Sequence, residues 1–110
     1  MSIDERDQAE KCTVYLKAVA DPTRLQIVRA LRTGPLTVSD IALLVEVDMT
    51  TVSHHLRVLY HANITVTKRD GKYIYYSLNP ELTPGKRQFN ELDFGCCKLD
   101  LRHTSTSPPH

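Results

Sequence analysis

The sequence predicts one mainly helical α+β domain of 110 residues, in which two short helices precede a two-stranded β-hairpin. Apolar residues recur at helical spacing in residues 36–45 and again in residues 48–60, with only two residues between the segments. Residues 64–78 then read as two strands around Asp70-Gly71, a dipeptide that favours a tight hairpin turn. Because helices joined so closely must cross steeply, this order predicts a winged helix-turn-helix.

The second helix of the pair, residues 48–60, is predicted to lie in a DNA groove. Val52, Leu56 and Leu59 give it one apolar face for burial, and Asp48 is a suitable N-cap. The opposite face carries short hydrogen-bonding side chains and one long cation, which can approach base edges and phosphates closely. These candidate DNA-binding residues are Thr50, Thr51, Ser53, His54 and Arg57. His55 lies nearer the buried edge, where a structural hydrogen bond is at least as plausible as a DNA contact.

The preceding helix supplies the support that so short a helix needs in water. Thr37 and Asp40 have the spacing of a capping box, and Ile41, Leu44 and Val45 form its buried stripe. An ordinary helical hairpin has the same sequence pattern as a helix-turn-helix. The segment that follows decides between these two folds.

That segment is the β-hairpin, which is predicted to be a basic wing. Asn63 can adopt the left-handed conformation that closes the helix before it. Asp70 and Gly71 are expected at the centre of a type I′ turn, where both residues need positive φ. The basic residues near its tip are Lys68, Arg69 and Lys72. They are expected to contact DNA phosphates or a minor groove.

Two more helices are predicted upstream, after an acidic arm at residues 1–10. The first runs from Gln8 to Ala20 and is apolar on more than one side. The second begins with Asp21 as N-cap and Pro22 at its first position, where the missing N–H costs nothing. Arg24 is expected on its outer surface, either solvated or against a DNA phosphate.

Composition narrows the class of protein and its surroundings. The net charge of +1 provides no global field for nucleic acid, so the local basic residues of the helix and wing matter more. The sequence has no apolar run long enough to cross a bilayer and no signal-peptide pattern, which predicts a cytoplasmic protein without a membrane partner. Three cysteines, an odd number, predict reduced thiols. No nucleophile–base pair or phosphate-binding loop indicates an enzyme or a small-molecule substrate.

Three runs in this order resemble the ArsR/SmtB family of winged-helix metalloregulatory repressors: residues 20–25, 51–59 and 71–78. The resemblance covers roughly residues 12–80. The resemblance implies a homodimer with the first helix in the interface. It also implies that the dimer binds double-stranded operator DNA whose sequence is an imperfect palindrome. The binding of an inducer ion is then expected to release the protein from the operator. Two of the family's usual ion sites are missing here, since Thr37-Val38-Ser39 replaces a Cys-Val-Cys run and the last segment lacks spaced Asp and His ligands.

The C-terminal segment offers a different candidate site, Cys96 and Cys97 after the flexible Gly95. Thiolates select soft ions, and trivalent arsenic or antimony accepts up to three of them in a pyramid. The pair resembles the C-terminal inducer site of arsenic-responsive family members. The third ligand is Cys12 of the same or the partner subunit, or else an exogenous thiol or hydroxide. Packing of the pair into an apolar cluster is the plainest alternative.

The sequence thus predicts a metalloid-responsive repressor that releases its operator when arsenite or antimonite binds. Its expected segments are residues 1–10, an acidic arm; residues 11–80, the DNA-binding domain; residues 81–103, with the cysteine pair; and residues 104–110, a disordered tail. A short helix is expected from about Gly85 to Leu92, because nearby prolines interrupt the family's longer one. The alternatives are a thiol redox or persulfide sensor, in which Cys96 or Cys97 oxidises, and a zinc or cadmium sensor using His103 as a fourth ligand.

Overall fold

The computed structural model describes residues 3–83 and 90–102, in which four helices are followed by two antiparallel β-hairpins. The order of the helices and the first hairpin is that of the predicted winged helix-turn-helix. The elements are α1 (Ile3–Val19), α2 (Pro22–Ala30), α3 (Val38–Val45), α4 (Met49–His61), β1 (Thr65–Asp70), β2 (Tyr73–Leu78), β3 (Glu91–Asp93) and β4 (Lys98–Asp100). Short 3-10 turns lie at Leu31–Thr33 and Pro80–Leu82.

Helix α1 starts earlier than the sequence predicts, at Ile3 rather than Gln8. The acidic residues assigned to an arm are therefore mostly part of the helix. Acidic side chains are favourable at a helix N-terminus because they interact with its partial positive charge. Lys11 also lies 3.6 Å from Asp7, one turn earlier, in an exposed ion pair that adds a small stabilisation.

The predicted N-caps of the next three helices are confirmed. Asp21 caps α2 with Pro22 in its first turn. At α3, the Thr37 hydroxyl accepts from the Asp40 backbone at 3.2 Å, and the Asp40 carboxylate accepts from the Thr37 backbone at 3.3 Å. Asp48 caps α4. These side chains satisfy N–H groups that have no partner inside their own helix.

Two left-handed residues set the directions of the chain around α4. Glu46, at φ 58°, ends α3 and allows the steep turn into α4. Asn63, at φ 63°, follows α4 and confirms the predicted helix end. Helix α4 is thus bounded on both sides by a sharp change in backbone direction.

The core lies beneath α4 and extends under every helix. Val52, Leu56 and Leu59 are completely buried, as their spacing predicts. They meet other fully buried side chains from α2, α3 and the start of the wing, namely Ile27, Val28, Ile41 and Ile64. This packing holds a helix of 13 residues that would be marginal alone in water. Within the described residues, no helix combines the length and the apolar character needed to span a bilayer.

The predicted buried stripe of α3 is narrower in the structure. Ile41 is completely buried and Val45 is half-buried, but Leu44 is 61% exposed. A helix of eight residues has room for little more than one inward position per turn, so Leu44 lies outside the contact with α2 and α4.

The wing has the predicted strands but a different turn. Asp70 pairs with Tyr73, so the two loop residues are Gly71 and Lys72 rather than Asp70 and Gly71. Gly71 has φ 62°, and neither Asp70 nor Lys72 has positive φ. The glycine therefore occupies the first loop position, which type II′ turns reserve for glycine, and the expected type I′ turn is wrong.

The base of the wing is joined to the rest of the domain by a separate backbone contact. Leu36, between α2 and α3, exchanges two hydrogen bonds with Tyr76 of β2, at 2.9 and 2.8 Å. This pair forms an isolated antiparallel bridge beside the hairpin.

The C-terminal segment forms a small hairpin where the sequence predicts the end of a helix. Residues 91–93 are strand β3, so a helix reaching Leu92 is wrong, while residues 84–89 of that prediction lie outside the described residues. Leu92 pairs with Leu99, and Gly95 takes φ 90° in the turn. Leu92 and Leu101 are completely buried in the core, so this hairpin packs on the domain.

Candidate DNA-binding surface and cysteine cluster

The outward face of α4 carries most of the predicted DNA-binding side chains at the surface. Thr50, Ser53, His54 and Arg57 are exposed. Thr51 is half-buried, and its hydroxyl donates to Asp48 at 2.7 Å, so it is committed to the helix cap. The structure therefore leaves four side chains of the predicted set on α4 facing solvent.

Asp48 is a strongly engaged carboxylate at the start of this helix. The Thr51 hydroxyl donates to it first, and the Thr51 backbone N–H adds a second hydrogen bond at 3.0 Å. Both hydrogen bonds favour the charged form, and they lower the pKa of Asp48 below its ordinary value of 3.8. The cap is thus ionised at neutral pH.

The wing adds a second exposed basic surface beside α4. Lys68, Arg69 and Lys72 are all exposed, and the Lys72 ammonium lies 5.4 Å from the centre of the Tyr73 ring. Between the wing and α4 lies a cleft of about 450 Å³, which Ser53 and Arg57 line from the helix side. The two predicted DNA-binding elements therefore border one shared groove.

Arg24 does not lie where the sequence predicts. Its side chain turns inward, where Nε donates to the Ala18 carbonyl at 2.6 Å and a terminal nitrogen lies 3.1 Å from His55 Nδ1. The expected structural hydrogen bond of His55 is therefore confirmed, and its partner is Arg24. No local pattern reveals this contact, because the two residues are 31 positions apart.

The three cysteines come together on one side of the molecule. Cys12 of α1 and Cys96 of the C-terminal hairpin are joined as a disulfide, with their Cα atoms 6.3 Å apart. Cys97 is an exposed free thiol, and its sulfur lies 3.8 Å from that of Cys96. The expectation that all three are thiols is therefore wrong, since an odd number requires only one unpaired cysteine.

Aromatic packing holds the hairpin against α1 beside these sulfurs. The rings of Tyr15 and Phe94 stack with centroids 4.9 Å apart and planes 8° from parallel. Cys12 is 5% exposed, and its sulfur lies 3.7 Å from the Phe94 carbonyl oxygen. The cluster therefore has one buried sulfur and two neighbours that face solvent.

Charged groups near the cluster are paired with each other. The Arg102 side chain donates three hydrogen bonds to the Asp100 carboxylate, the shortest at 2.8 Å, and its backbone N–H donates a fourth at 2.9 Å. The hydrogen bonds from the Arg102 side chain lower the pKa of Asp100 to about 2. Residues 3–83 and 90–102 contain no group of three His, Cys, Asp or Glu side chains placed to hold a metal ion. Reduction would leave the Cys96 thiol beside Cys97 and the Cys12 thiol beside Cys96, whereas His103 lies outside the described residues.

Comparison with known proteins places this architecture in a family. Residues 21–65 match the family described as bacterial regulatory protein, arsR family. The arsenical resistance operon repressor of Staphylococcus xylosus is 31% identical over 94 residues, which are 81% of this chain and 90% of the relative. The chain belongs to the ArsR family. The matched segment contains α2, α3 and α4, so membership rests on the DNA-binding part of the fold.

Other relatives support this ArsR-family assignment. The transcriptional repressor SdpR of Bacillus subtilis is 43% identical over 57% of this chain and 70% of its own length. The homodimeric winged helix-turn-helix domain Mb0332 of Mycobacterium bovis has a TM-score of 0.67 at 28% identity, covering 74% of this chain and 75% of that one. The chain spans only 52–54% of the length of three further curated relatives. The family is one of transcriptional repressors, and no catalytic family is indicated.

Proposed function

We propose that this ArsR-family protein is a homodimeric repressor that releases operator DNA when arsenite or antimonite binds Cys12, Cys96 and Cys97. The observation that carries the proposal is the cluster of these three sulfurs, which lies on the same domain as an exposed basic surface. The operator is an imperfect palindrome, because a two-fold dimer presents the same surface twice.

The exposed face of α4 and the wing support the DNA-binding half. Thr50, Ser53, His54 and Arg57 enter the major groove, and Thr51 supports them through the cap. Lys68, Arg69 and Lys72 contact the backbone or minor groove beside it.

The dimer is supported by helix α1. Val14 and Leu16 are apolar yet 53% and 45% exposed, which suits a helix that contacts a second subunit. The solved M. bovis relative is homodimeric. Two subunits would also present two copies of the basic surface to one operator.

The chemistry of the sulfurs supports a trivalent metalloid. Arsenous acid exchanges its three hydroxyls for three thiolates, and each thiol proton leaves with a hydroxyl as water. Thiolates are soft ligands that favour such an ion over magnesium or calcium. The site has to be reduced first, which requires two electrons from a thiol reductant and returns Cys12 and Cys96 to thiols.

Ligation within one subunit is the arrangement that we favour. Cys12 and Cys96 are within bonding reach of each other, and Cys97 is 3.8 Å from Cys96, without any contribution from a second chain. Neither the partner subunit nor an exogenous thiol is then needed to complete three ligands.

The first test is a titration of reduced, operator-bound protein with arsenite, antimonite, zinc and copper, monitored by fluorescence anisotropy. Arsenite and antimonite are expected to release wild-type protein, and Cys96→Ser/Cys97→Ser protein is expected to stay bound. Arg57→Ala is the matched control, because it weakens DNA binding but leaves arsenite affinity unchanged. Release of the double serine variant by arsenite would falsify the proposal.

Mixed dimers distinguish ligation within a subunit from ligation between subunits. Cys12→Ser protein and Cys96→Ser/Cys97→Ser protein each lack a complete set of thiols. If ligands come from one subunit, a dimer with one copy of each variant binds no arsenite through three thiolates. Recovery of a three-thiolate arsenite absorption band after mixing would instead show that Cys12 acts across the interface.

A thiol redox repressor of the same fold is the second candidate, and the Cys12–Cys96 disulfide favours it. Oxidation of two thiols by peroxide or polysulfide removes two electrons and two protons and forms this bond. The same anisotropy assay separates the candidates, since a redox sensor responds to peroxide or polysulfide at concentrations where arsenite has no effect. Zinc or cadmium sensing needs a fourth donor beyond the three cysteines.

A further inference from the structure

Arg24 joins three helices through one side chain. Its Nε donates to the Ala18 carbonyl at the end of α1, and its terminal nitrogen contacts His55 in the middle of α4. Its own backbone N–H donates to Asp21, the N-cap of α2, at 3.0 Å. The end of α1, the start of α2 and the recognition helix therefore meet at a single guanidinium.

The hydrogen-bonding groups around Arg24 fix which atoms donate and which accept in this contact. Ala18 lies in the last turn of α1, where carbonyl groups lack a partner inside the helix and carry partial negative charge. Arginine has only donors, so His55 Nδ1 must be the acceptor and the ring proton must be on Nε2. The Asp21 carboxylate is 4.0 Å from Nδ1, too far to compete for that nitrogen through a hydrogen bond.

The Arg24 side chain lies at the surface of the junction between α1 and α4. A shallow groove of about 590 Å³ lies along α1 and α4 at this level, and its lining includes Arg24, Val58 and Ala62. Arg57 of the proposed DNA-binding face lines the same groove. Ala18 and Ala62 are buried beneath this groove, so Arg24 forms a polar contact above an apolar one, and a shift of α1 changes both.

Both ends of this connection belong to functional parts of the molecule. Cys12 precedes Ala18 by six residues on α1, which is about 9 Å along the helix axis. His55 lies between His54 and Leu56 on α4, so its backbone is part of the DNA-reading helix. A change at the sulfur cluster thus reaches Arg24 through one rigid helix.

We propose that Arg24 is a positioning residue that sets the orientation of α4 through His55 and transmits inducer binding from α1 to the DNA-reading face. The inference rests on the proposed function, because it needs an inducer at Cys12. Arg24 itself contacts neither inducer nor DNA in this scheme. Its effect is measured as coupling, the ratio of operator Kd with arsenite to operator Kd without it.

The test compares reduced wild type with Arg24→Gln on a promoter duplex of the protein's own gene, with and without arsenite. Wild type is expected to show a ratio of about 5 to 150, the usual range of allosteric coupling. Arg24→Gln is expected to bring the ratio below about 2, with unchanged arsenite affinity by thiolate absorption. Arg32→Gln is the matched control, because the Arg32 side chain donates to Arg29 within its own segment, and it should keep the wild-type ratio.

Changes at the other end of the contact keep the test decisive if Arg24→Gln does not fold. His55→Ala removes the acceptor and is expected to lose coupling, while His55→Gln supplies an amide oxygen and is expected to restore most of it. A purely structural role would change stability in both variants without this difference in coupling.

The outcomes separate the two proposals. A large wild-type ratio that persists in both Arg24→Gln and His55→Ala overturns the role of Arg24 and leaves the proposed function intact. A wild-type ratio near one, with arsenite bound, overturns the proposed function and the inference that rests on it.

Discussion

At the scale of single residues, Asp48 connects helix formation to the DNA-binding surface. Its carboxylate accepts two hydrogen bonds from Thr51, at 2.7 and 3.0 Å. These bonds hold the first turn of α4, which is adjacent to the exposed Thr50 and Ser53. A change in the charge of this cap therefore acts on the part of the helix that we propose faces DNA.

The lowered pKa of Asp48 predicts a specific acid sensitivity. Because the folded-state pKa lies below the unfolded value near 3.8, the stabilisation is complete above that pH. It is lost as the pH falls through the lower, folded value. Urea unfolding of wild type and Asp48→Asn should show a gap in the free energy of unfolding that narrows with acidification below about pH 4.

Asparagine is a suitable comparison because it also caps helices but carries no charge in this range. Asp70→Asn, in the wing, controls for the loss of an acidic residue elsewhere. A gap between wild type and Asp48→Asn that stays constant from neutral pH to about pH 2.5 would contradict this role.

The contacts of a side chain can be predicted from the sequence when its hydrogen-bond partner is only a few residues away. The caps at Thr37 and Asp48 use groups three residues away, so sequence spacing alone locates them. Arg24 cannot be placed in this way because its partner His55 belongs to another helix, and a cation on an amphipathic helix is normally assigned to solvent. The contact is decided by tertiary packing, which no local spacing encodes.

At the scale of elements, the C-terminal hairpin holds two of the three sulfurs. Phe94 is 7% exposed and stacks on Tyr15 of α1, and Leu92 is completely buried beside it. This apolar contact, together with the Cys12–Cys96 bond, keeps the hairpin on α1. In the reduced protein, the apolar contact has to keep the thiols together.

We therefore expect Phe94→Ala to weaken arsenite binding although it removes no sulfur. Replacing a buried phenylalanine by alanine typically costs about 3 to 5 kcal/mol in packing, and here that change loosens the hairpin from α1. Arsenite affinity is measured by thiolate absorption on reduced protein, alongside operator binding without arsenite. Operator affinity should change little, because Phe94 is outside α4 and the wing.

Tyr15→Phe is the control for this change, since it keeps the stacked ring and removes only the hydroxyl. It should bind arsenite as wild type does. Equal arsenite affinity in Phe94→Ala and wild type would mean that the hairpin needs no aromatic contact to present its thiols.

Elements are predictable in proportion to their length and periodicity. Helix α4 spans 13 residues and repeats its apolar spacing, and the structure places it within one residue of the predicted segment. Strands β3 and β4 have three residues each, too few to show an alternating pattern. The wing turn differs by one residue from the prediction because Asp-Gly and Gly-Lys are both acceptable loop pairs, and strand pairing decides between them.

At the scale of the whole molecule, charge is distributed unevenly although its sum is small. The net charge is +1, yet Arg57, Lys68, Arg69 and Lys72 are all exposed on α4 and the wing, the two elements that border one groove. Attraction to DNA therefore depends on this surface and not on the overall charge.

This distribution predicts the salt dependence of operator binding. The logarithm of the association constant falls as the logarithm of the salt concentration rises, and each neutralised phosphate adds about 0.9 to the steepness of that fall. Replacing Lys68 and Lys72 by glutamine should make this salt dependence less steep, by about 1 for each phosphate that is no longer neutralised. The affinity should fall by a similar factor for operator and for random duplex. Anisotropy titrations at several salt concentrations measure the slope.

Lys11→Gln provides the comparison, because Lys11 is exposed on α1 and paired with Asp7, away from the wing. Its slope should equal that of wild type. If the Lys68/Lys72 variant also keeps the wild-type slope, the wing does not touch phosphates.

The paired hydrogen bonds between Leu36 and Tyr76 have a geometric consequence for the DNA. They join the wing to the segment that enters α3, and α3 packs against α4, so we expect the distance between the wing and α4 to be nearly fixed. DNA turns once in about 10.5 base pairs, so one added pair between the contacted phosphates rotates them by about a tenth of a turn. With the distance between the wing and α4 fixed, we expect the spacing of the contacted phosphates to be part of what defines an operator for this protein.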